Sequence, residues 1–443
     1  MNWIAPDRRT RILALALPII GGMVSQNVLN LVDTAMVGVL GNAALAAVGL
    51  GGFALFMSQA LILGLSTGVQ ATVARRKGEG RLNETAVFLN AALLIVLIFG
   101  PLFSALLYGL VPLFYPYLNG DPDVIRQGVP YLQVRILATV FVGMNFSFRG
   151  YWNAIDMSRL YMSTLIVMHA SNIFLNWVFI FGNLGAPELG VTGAGLASAL
   201  STVIGSATYF WLGSRHASVN GFLKRKPRRQ EIASVVRLSL PNGIQQLFFA
   251  AGFTVLFWIV GQVGTKQLAA ATVLINVTLV AILPGLGLGL AAATLVGQAL
   301  GRGDPDDAYR WGWDVAKFAV VVLGLLGVPM WLVPDLMLSA FIHDPETMDL
   351  ARWPIRLVGL TMAIEAVGLV LMHALLGAGD SKRVMLVAVS AQWIVFLPIA
   401  YLVGPALGFG LLGIWILQGT YRTLQAGLFR KLWEQRDWAR IRV

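Results

Sequence analysis

Two carboxylates stand where carboxylates are costly. Asp33, in VSQNVLNLVDTAMVG, and Glu365, in GLTMAIEAVGLVL, are the acids that fall well inside long apolar runs. A charge at bilayer depth costs about 2.5–3.5 kcal/mol on the insertion scale, so each is read first as functional. Burial favours the neutral carboxyl, which suits a group that takes up and releases a proton. Gln26, Asn30 and Asp33 fall within about 60° of arc on a helix, a polar stripe that must face protein or a watery cavity. Asn172 and Asn176 are spaced i, i+4, with His169 one turn earlier on the same arc. Two stacked amides could orient a carboxylate or ligate a cation, or simply hydrogen-bond one helix to another. His169 alone reads as a packed polar residue rather than a proton carrier. Glu365 shares its face with Thr361 and Gly368, and would serve as a second cation or proton site or as a partner for cationic substrates.

Other chemistries lack their residues. The chain has no cysteine, which removes disulfides and thiolate metal sites. No G-x-x-x-x-G-K-[ST] phosphate loop is present, nor a Ser-centred elbow, nor a His/Asp/Glu group with metal-ligand spacing. Neither an enzyme nor a resident cofactor is expected, and ATP would have to be used by another chain.

The elements that must position these residues are membrane spans. Of 443 residues, 57% are apolar and 12% charged, and the mean hydropathy is +0.74. That charge is about half of what covers a soluble domain. Apolar segments fall at roughly 12–37, 45–70, 86–112, 128–151, 160–182 and 192–213, and again at 235–261, 267–297, 312–336, 350–376, 383–404 and 411–432. Runs of this length are helical spans, since barrel strands need only about 9–11 residues. The first run is too long for a signal peptide and reads as an uncleaved helix. With the N-terminus inside, all Lys and Arg fall at cytoplasmic segments except Arg126, Arg135, Lys266, Arg352 and Arg356, out of 32. Arg422 counts here with the C-terminal charges, and the spans themselves read as nearly free of basic residues. Both termini are expected on the cytoplasmic side of the membrane. The net charge of +11 is therefore an orientation signal, and KRKPRR (224–229) joins the two halves rather than binding nucleic acid.

The second half repeats the first. Adding 223 carries Leu15, Leu17 and Pro18 onto Leu238, Leu240 and Pro241, Gly64 onto Gly287, and the GxG of Gly78 and Gly80 onto Gly301 and Gly303. At 224, Ala154, Asp156 and Arg159 meet Ala378, Asp380 and Arg383. Six spans per half make the repeat parallel, with its axis along the membrane normal. The expected fold is all-α and integral to the bilayer, with twelve transmembrane helices in two pseudo-symmetric six-helix bundles. The expected organisation is an N-lobe at 1–214, a linker at 215–234 and a C-lobe at 235–443, an arrangement suited to alternating access. Leu256 stands where the repeat would put a second Asp33, so the halves are chemically unequal. Pro18 and Pro241 open equivalent helices, as helix starters or as kinks.

These motifs together resemble the multidrug and toxic compound extrusion (MATE) family. The resemblance runs over nearly the whole chain: LALP with VDTAMVG, the GxG after the second span, NIFLNWVFIFG, LGVTGAGLASA, and the repeated LP and GD-x-[KR] elements. It implies a MATE/MOP-type transporter fold and secondary antiport, in which inward H⁺ or Na⁺ drives export of amphipathic, often cationic, drugs. It implies that Asp33 is the coupling carboxylate of the N-lobe and that Asn172 and Asn176 are its polar partners, a possible Na⁺ site. Tyr131 and Ser198 match supporting positions, and Glu365 matches an acid of Na⁺-associated members. Asn176 replaces an Asp found in part of the family, and Ala250 follows Phe248–Phe249 where those members carry an acid. The balance is nearer the DinF-like subgroup and leans towards H⁺. Small-molecule substrates, the lipid bilayer and a monomeric state follow as expectations. The alternatives are a lipid-linked saccharide flippase of the same superfamily and an exporter of other metabolites.

Overall fold

The structure is a computed structural model that describes residues 4–442. Its elements are helical throughout the described residues. They are α1 (Pro6–Gly38), α2 (Asn42–Gly78), α3 (Thr85–Leu118), α4 (Pro122–Leu137), α5 (Thr139–Ala154), α6 (Ser158–Phe181) and α7 (Gly190–His216). The second half holds α8 (Arg229–Val263), α9 (Thr265–Ala281), α10 (Leu283–Gly301), α11 (Pro305–Leu332), the short α12 (Pro334–Leu338) and α13 (Pro345–Ala378). It closes with α14 (Ser381–Ser390), α15 (Leu397–Tyr401) and α16 (Gly410–Gln435), with π-helical turns at Ala391–Phe396 and Leu402–Ala406 on either side of α15.

Ten of these helical stretches are long and apolar enough to cross a bilayer, the last of them Ser381–Ala406, and α4 with α5 make an eleventh span bent by 50°. The bend falls at Ala138, where one residue leaves the helical ladder. The twelfth expected span is α16, 26 residues long and less apolar than the others. The eighth span is broken once, at Ile282, between α9 and α10. Pro18 and Pro241 both lie inside continuous helices.

Helix bounds reproduce the internal repeat at an offset of 223. Pro6 and Arg229, Asn42 and Thr265, Gly78 and Gly301, Pro122 and Pro345, and Ser158 and Ser381 are equivalent starts or ends. Gly80 and Gly303 take the same left-handed turn, with φ +76° at each. The left-handed residue before α6 is Asp156, and before α14 it is Gly379, again 223 apart. The carboxylates of Asp156 and Asp380 therefore sit one position apart within equivalent turns. Asp156 pairs with Lys77 at 2.7 Å, whereas Asp380 lies 3.7 Å from Arg383.

By contacts the chain forms two compact units, residues 21–243 and residues 1–20 with 244–443. The contact boundaries fall inside α1 and α8, and the repeat boundary falls in the loop before α8. Within the first unit, the opening part of α8 packs against α2 at Gly64, where a Cβ would come within 2.3 Å of the Ser239 carbonyl oxygen. Within the second, the opening part of α1 meets α10 at Gly287, whose Cβ would lie 2.4 Å from Ile20 Cγ1. The repeated glycine thus marks a repeated close helix approach. The second unit also fixes the start of α1 by charge. Arg8 pairs with Asp307 and Asp314, each at 2.6 Å, and its guanidinium lies 3.6 Å from the Trp311 ring centroid. Arg11 adds a hydrogen bond to Gln298.

Candidate functional site

The site is built within the first unit, between α1, α6 and α7. Asn176 Nδ2 donates to Asp33 Oδ1 at 2.6 Å and to Asn172 Oδ1 at 3.0 Å, so one amide bridges the carboxylate to the amide one turn earlier. Asn172 Nδ2 in turn donates to Ser198 Oγ at 3.1 Å and to Ser201 Oγ at 3.4 Å. Asn172 and Asn176 are buried, and Asp33 is half-buried. A second rung lies two turns earlier on both helices. There His169 Nε2 meets Gln26 Oε1 at 3.1 Å, and Gln26 Nε2 donates to Asn30 Oδ1 at 3.3 Å. Both rungs join residues 143 apart, so α1 and α6 run parallel and in register along this polar seam.

Local sequence explains how the seam closes. The i, i+4 spacing of the asparagines stacks their amides on one face of α6. A side chain at Gly193 would strike the Phe179 carbonyl, its Cβ 2.3 Å from that oxygen. The glycine lets α7 approach α6, which brings Ser198 and Ser201 onto Asn172. A hydrogen bond to a charged group contributes about 1.5–3 kcal/mol, enough to hold Asp33 in one orientation.

Of the expected residues, the structure joins Asp33, Asn172, Asn176 and Ser198 in one hydrogen-bonded rung and Gln26 and Asn30 in a separate one. Tyr131 is buried in α4, and its hydroxyl accepts from Arg135 at 3.3 Å rather than joining the seam. Glu365 belongs to the other unit. Its partner is Arg422, with Nε 3.7 Å from Glu365 Oε1. This corrects the reading of Arg422 as a C-terminal loop charge and of the spans as nearly free of basic residues: it lies near the middle of α16, beside the acid at mid-length of α13. Arg135, on α4, acts electrostatically on Asp33, and Ser201 extends the seam. Neither was picked out from the sequence, although Tyr131 and Arg135 are one turn apart and Ser198 and Ser201 share a face.

Two stretches of the chain, 18–178 and 241–402, each match the sequence model of MatE. Their starts are again 223 apart, and together they cover well over half of the sequence. The chain belongs to the MatE family. It is therefore a membrane transporter and not an enzyme. Among MatE relatives, a "Probable multidrug resistance protein NorM" of Thermotoga maritima is 26% identical over 420 residues, covering 93% of this chain and 89% of the relative. A protein of the same description from a Synechococcus strain is 29% identical, covering 94% and 92%. Solved structures agree in fold. An outward-facing multidrug resistance MATE family transporter of the MOP superfamily superposes with a TM-score of 0.89 at 21% identity, covering 97% of both chains. A MOP superfamily transporter from Pyrococcus furiosus gives 0.87 at 20% identity, covering 97% and 96%. The MATE/MOP-type fold expected from the sequence is thus the fold observed.

Within this MatE chain, the seam can do two things chemically. Asp33 can hold or lose a proton while Asn176 keeps it in place. Its oxygens, with Asn172 Oδ1, can also face a small cation if the Asn176 amide turns over. Asn176 Oδ1 is buried without a partner, so a turned amide would bring a fourth oxygen to the same place.

Proposed function

We propose that this transporter exports amphipathic, cationic small molecules in exchange for inward-moving H⁺, with Asp33 as the coupling carboxylate. The observation that carries this reading is the 2.6 Å bond from the Asn176 amide to Asp33 Oδ1 on a half-buried stretch of α1. A carboxylate so placed has two states that its surroundings distinguish. Ionised, it takes the Asn176 N–H as a charge-assisted acceptor, which is the stronger bond. Protonated, it holds that bond more weakly and no longer presents a charge. Because the bond ties α1 to α6, proton uptake loosens the seam, and a change in the seam biases which side of the membrane has access to the substrate.

Proton coupling is favoured over Na⁺ by the residue types. Asn176 stands where part of the family carries an Asp, and Ala250 follows Phe248–Phe249 where Na⁺-associated members carry an acid, so fewer anionic oxygens are offered to a metal ion. Na⁺ held by Asp33, Asn172 and Asn176 remains the alternative coupling ion. The curated relatives named above carry multidrug resistance in their description, which supports the substrate class. The distribution of Lys and Arg supports cytoplasmic termini, and bacterial relatives support a bacterial inner membrane. We take the working unit to be a monomer.

Purified protein in liposomes loaded with ethidium provides the test. A pH gradient imposed without Na⁺ should drive dye movement, and a Na⁺ gradient at equal pH should not. Movement under Na⁺ alone would replace the ion, and no movement under either gradient would remove the exporter reading.

A further inference from the structure

The second unit holds a half-buried ion pair that the seam at Asp33 does not use. Glu365 lies at mid-length of α13 and Arg422 at mid-length of α16. Their separation of 3.7 Å is longer than a hydrogen bond. Among the described residues Arg422 makes no hydrogen bond, its remaining close partner being the Tyr421 ring at 5.4 Å. The pair borders a chamber of about 20 Å³, lined also by Thr278, Thr361, Trp415 and Gln418. That is room for one water-sized group. Trp415 Nε1 and Gln418 Oε1 are both buried and without a hydrogen-bond partner. The hydroxyls of Thr361 and Thr278 already donate to backbone carbonyls one turn earlier and offer only acceptor lone pairs. Thr361, Trp415 and Gly419 also line an apolar groove of about 670 Å³, walled by Leu357, Ile416, Leu424 and Leu428.

Two opposite charges with no hydrogen bond between them, several unpartnered polar atoms and an apolar groove alongside describe a half-made site. A buried charge is normally paired and hydrogen-bonded in full. A simple cation would find Glu365 already neutralised and Arg422 repelling it. A simple anion would meet Glu365 in the same way. A molecule carrying both charges meets neither penalty, because each pole replaces one member of the loose pair. We propose that Glu365 and Arg422 form a binding site for a zwitterionic amphipath, its carboxylate on Arg422, its ammonium on Glu365 and its apolar body along α13 and α16. Trp415 Nε1 supplies a further donor to the carboxylate, and the Gln418 amide serves either pole by turning over. The first unit offers no equivalent, since the repeat places Val142 at the position of Glu365.

This assignment names a substrate class and, for its use in transport, rests on the exporter reading. Its test does not, because it measures binding without any gradient. Three dansyl probes share one body and differ in charge: Nε-dansyl-lysine is zwitterionic, dansylcadaverine is cationic and 6-(dansylamino)hexanoic acid is anionic. Binding to the full-length protein in nanodiscs is read from dansyl fluorescence, with empty nanodiscs subtracted. Nε-dansyl-lysine is expected to bind about tenfold more tightly than either single-charge probe. Arg422→Gln should erase its advantage over dansylcadaverine, and Glu365→Gln its advantage over the acid. Each single variant leaves one half-buried charge unpaired, so the double variant Glu365→Gln/Arg422→Gln guards against loss of folding. It should bind all three probes alike and weakly. Equal affinities in the wild type, or an unchanged Nε-dansyl-lysine affinity in the double variant, overturn the assignment. Dye transport in liposomes alongside equal probe affinities would remove this site and leave the exporter standing. Charge-selective probe binding without dye transport would do the reverse.

Discussion

Asp33 is held by a single amide, and that amide is the sharpest handle on its role. Asn176→Ala removes the donor to Asp33 and the bridge to Asn172 together. Loss of a hydrogen bond to a charged group should slow gradient-driven transport by about tenfold or more while the protein remains folded. Unchanged transport would mean that Asp33 is not positioned through α6. The sequence carried most of this cluster openly. The i, i+4 asparagines, the stripe of Gln26, Asn30 and Asp33, and the cost of a carboxylate in a span required no structure. Two members escaped for physical reasons. Arg135 counts with the outside charges because it falls in the first turns of the expected span 128–151, and Ser201 is one of many small polar residues in α7. Arg422 was masked by a different effect. A basic residue in the last span resembles the many that flank it, and only its packing against Glu365 reveals it.

Between helices, the repeated glycines make unequal demands. At Gly64 the obstacle to a Cβ is the backbone carbonyl of Ser239, which cannot swing aside, whereas at Gly287 it is Ile20 Cγ1, a side-chain carbon that turning about the Cα–Cβ bond can move. Gly64→Ala should therefore destabilise the protein by about 1–3 kcal/mol, and Gly287→Ala by clearly less. Thermal unfolding of both variants in the same detergent checks the order, and a reversed order would contradict the packing described. The turn before α14 gives a second test, through pH. Asp380 is buried outside the spans, and that burial raises its carboxyl above the usual carboxylate value, an effect that Arg383 partly offsets. A raised folded-state value means that the folded protein holds this proton more tightly than the unfolded chain. The group is neutral in both states at low pH, and its ionisation costs stability once pH rises through the folded value. Asp380→Asn should thus raise the melting temperature near pH 7 and change it little near pH 4. A gain of equal size at both pH values would rule out the carboxyl as the cause. The repeat that relates these helices could be read from Pro18, Gly64 and the GxG alone. The break at Ala138 and the π-helical turns around α15 could not, because a one-residue departure from the helical ladder leaves no mark on apolar periodicity.

For the whole molecule, the sense we propose for the spans rests on where Lys and Arg fall. Because the chain has no cysteine, a single introduced thiol is a unique reporter. Lys226→Cys, before α8, should react with an impermeant maleimide only from the cytoplasmic side, and Arg126→Cys, in the first turns of α4, only from the opposite side. The reverse pattern would invert the topology. The two matches to MatE and the helix bounds 223 residues apart describe a duplicated body with unequal acids in its two units, in which we propose Asp33 as the one coupling carboxylate. That carboxylate is the claim on which the rest depends. The most direct measurement compares wild type with Asp33→Asn in liposomes under an imposed pH gradient, following ethidium movement at matched protein content. The wild type should move dye with the gradient, and Asp33→Asn should fall to the rate of protein-free liposomes. Gradient-driven movement retained by Asp33→Asn would contradict the account.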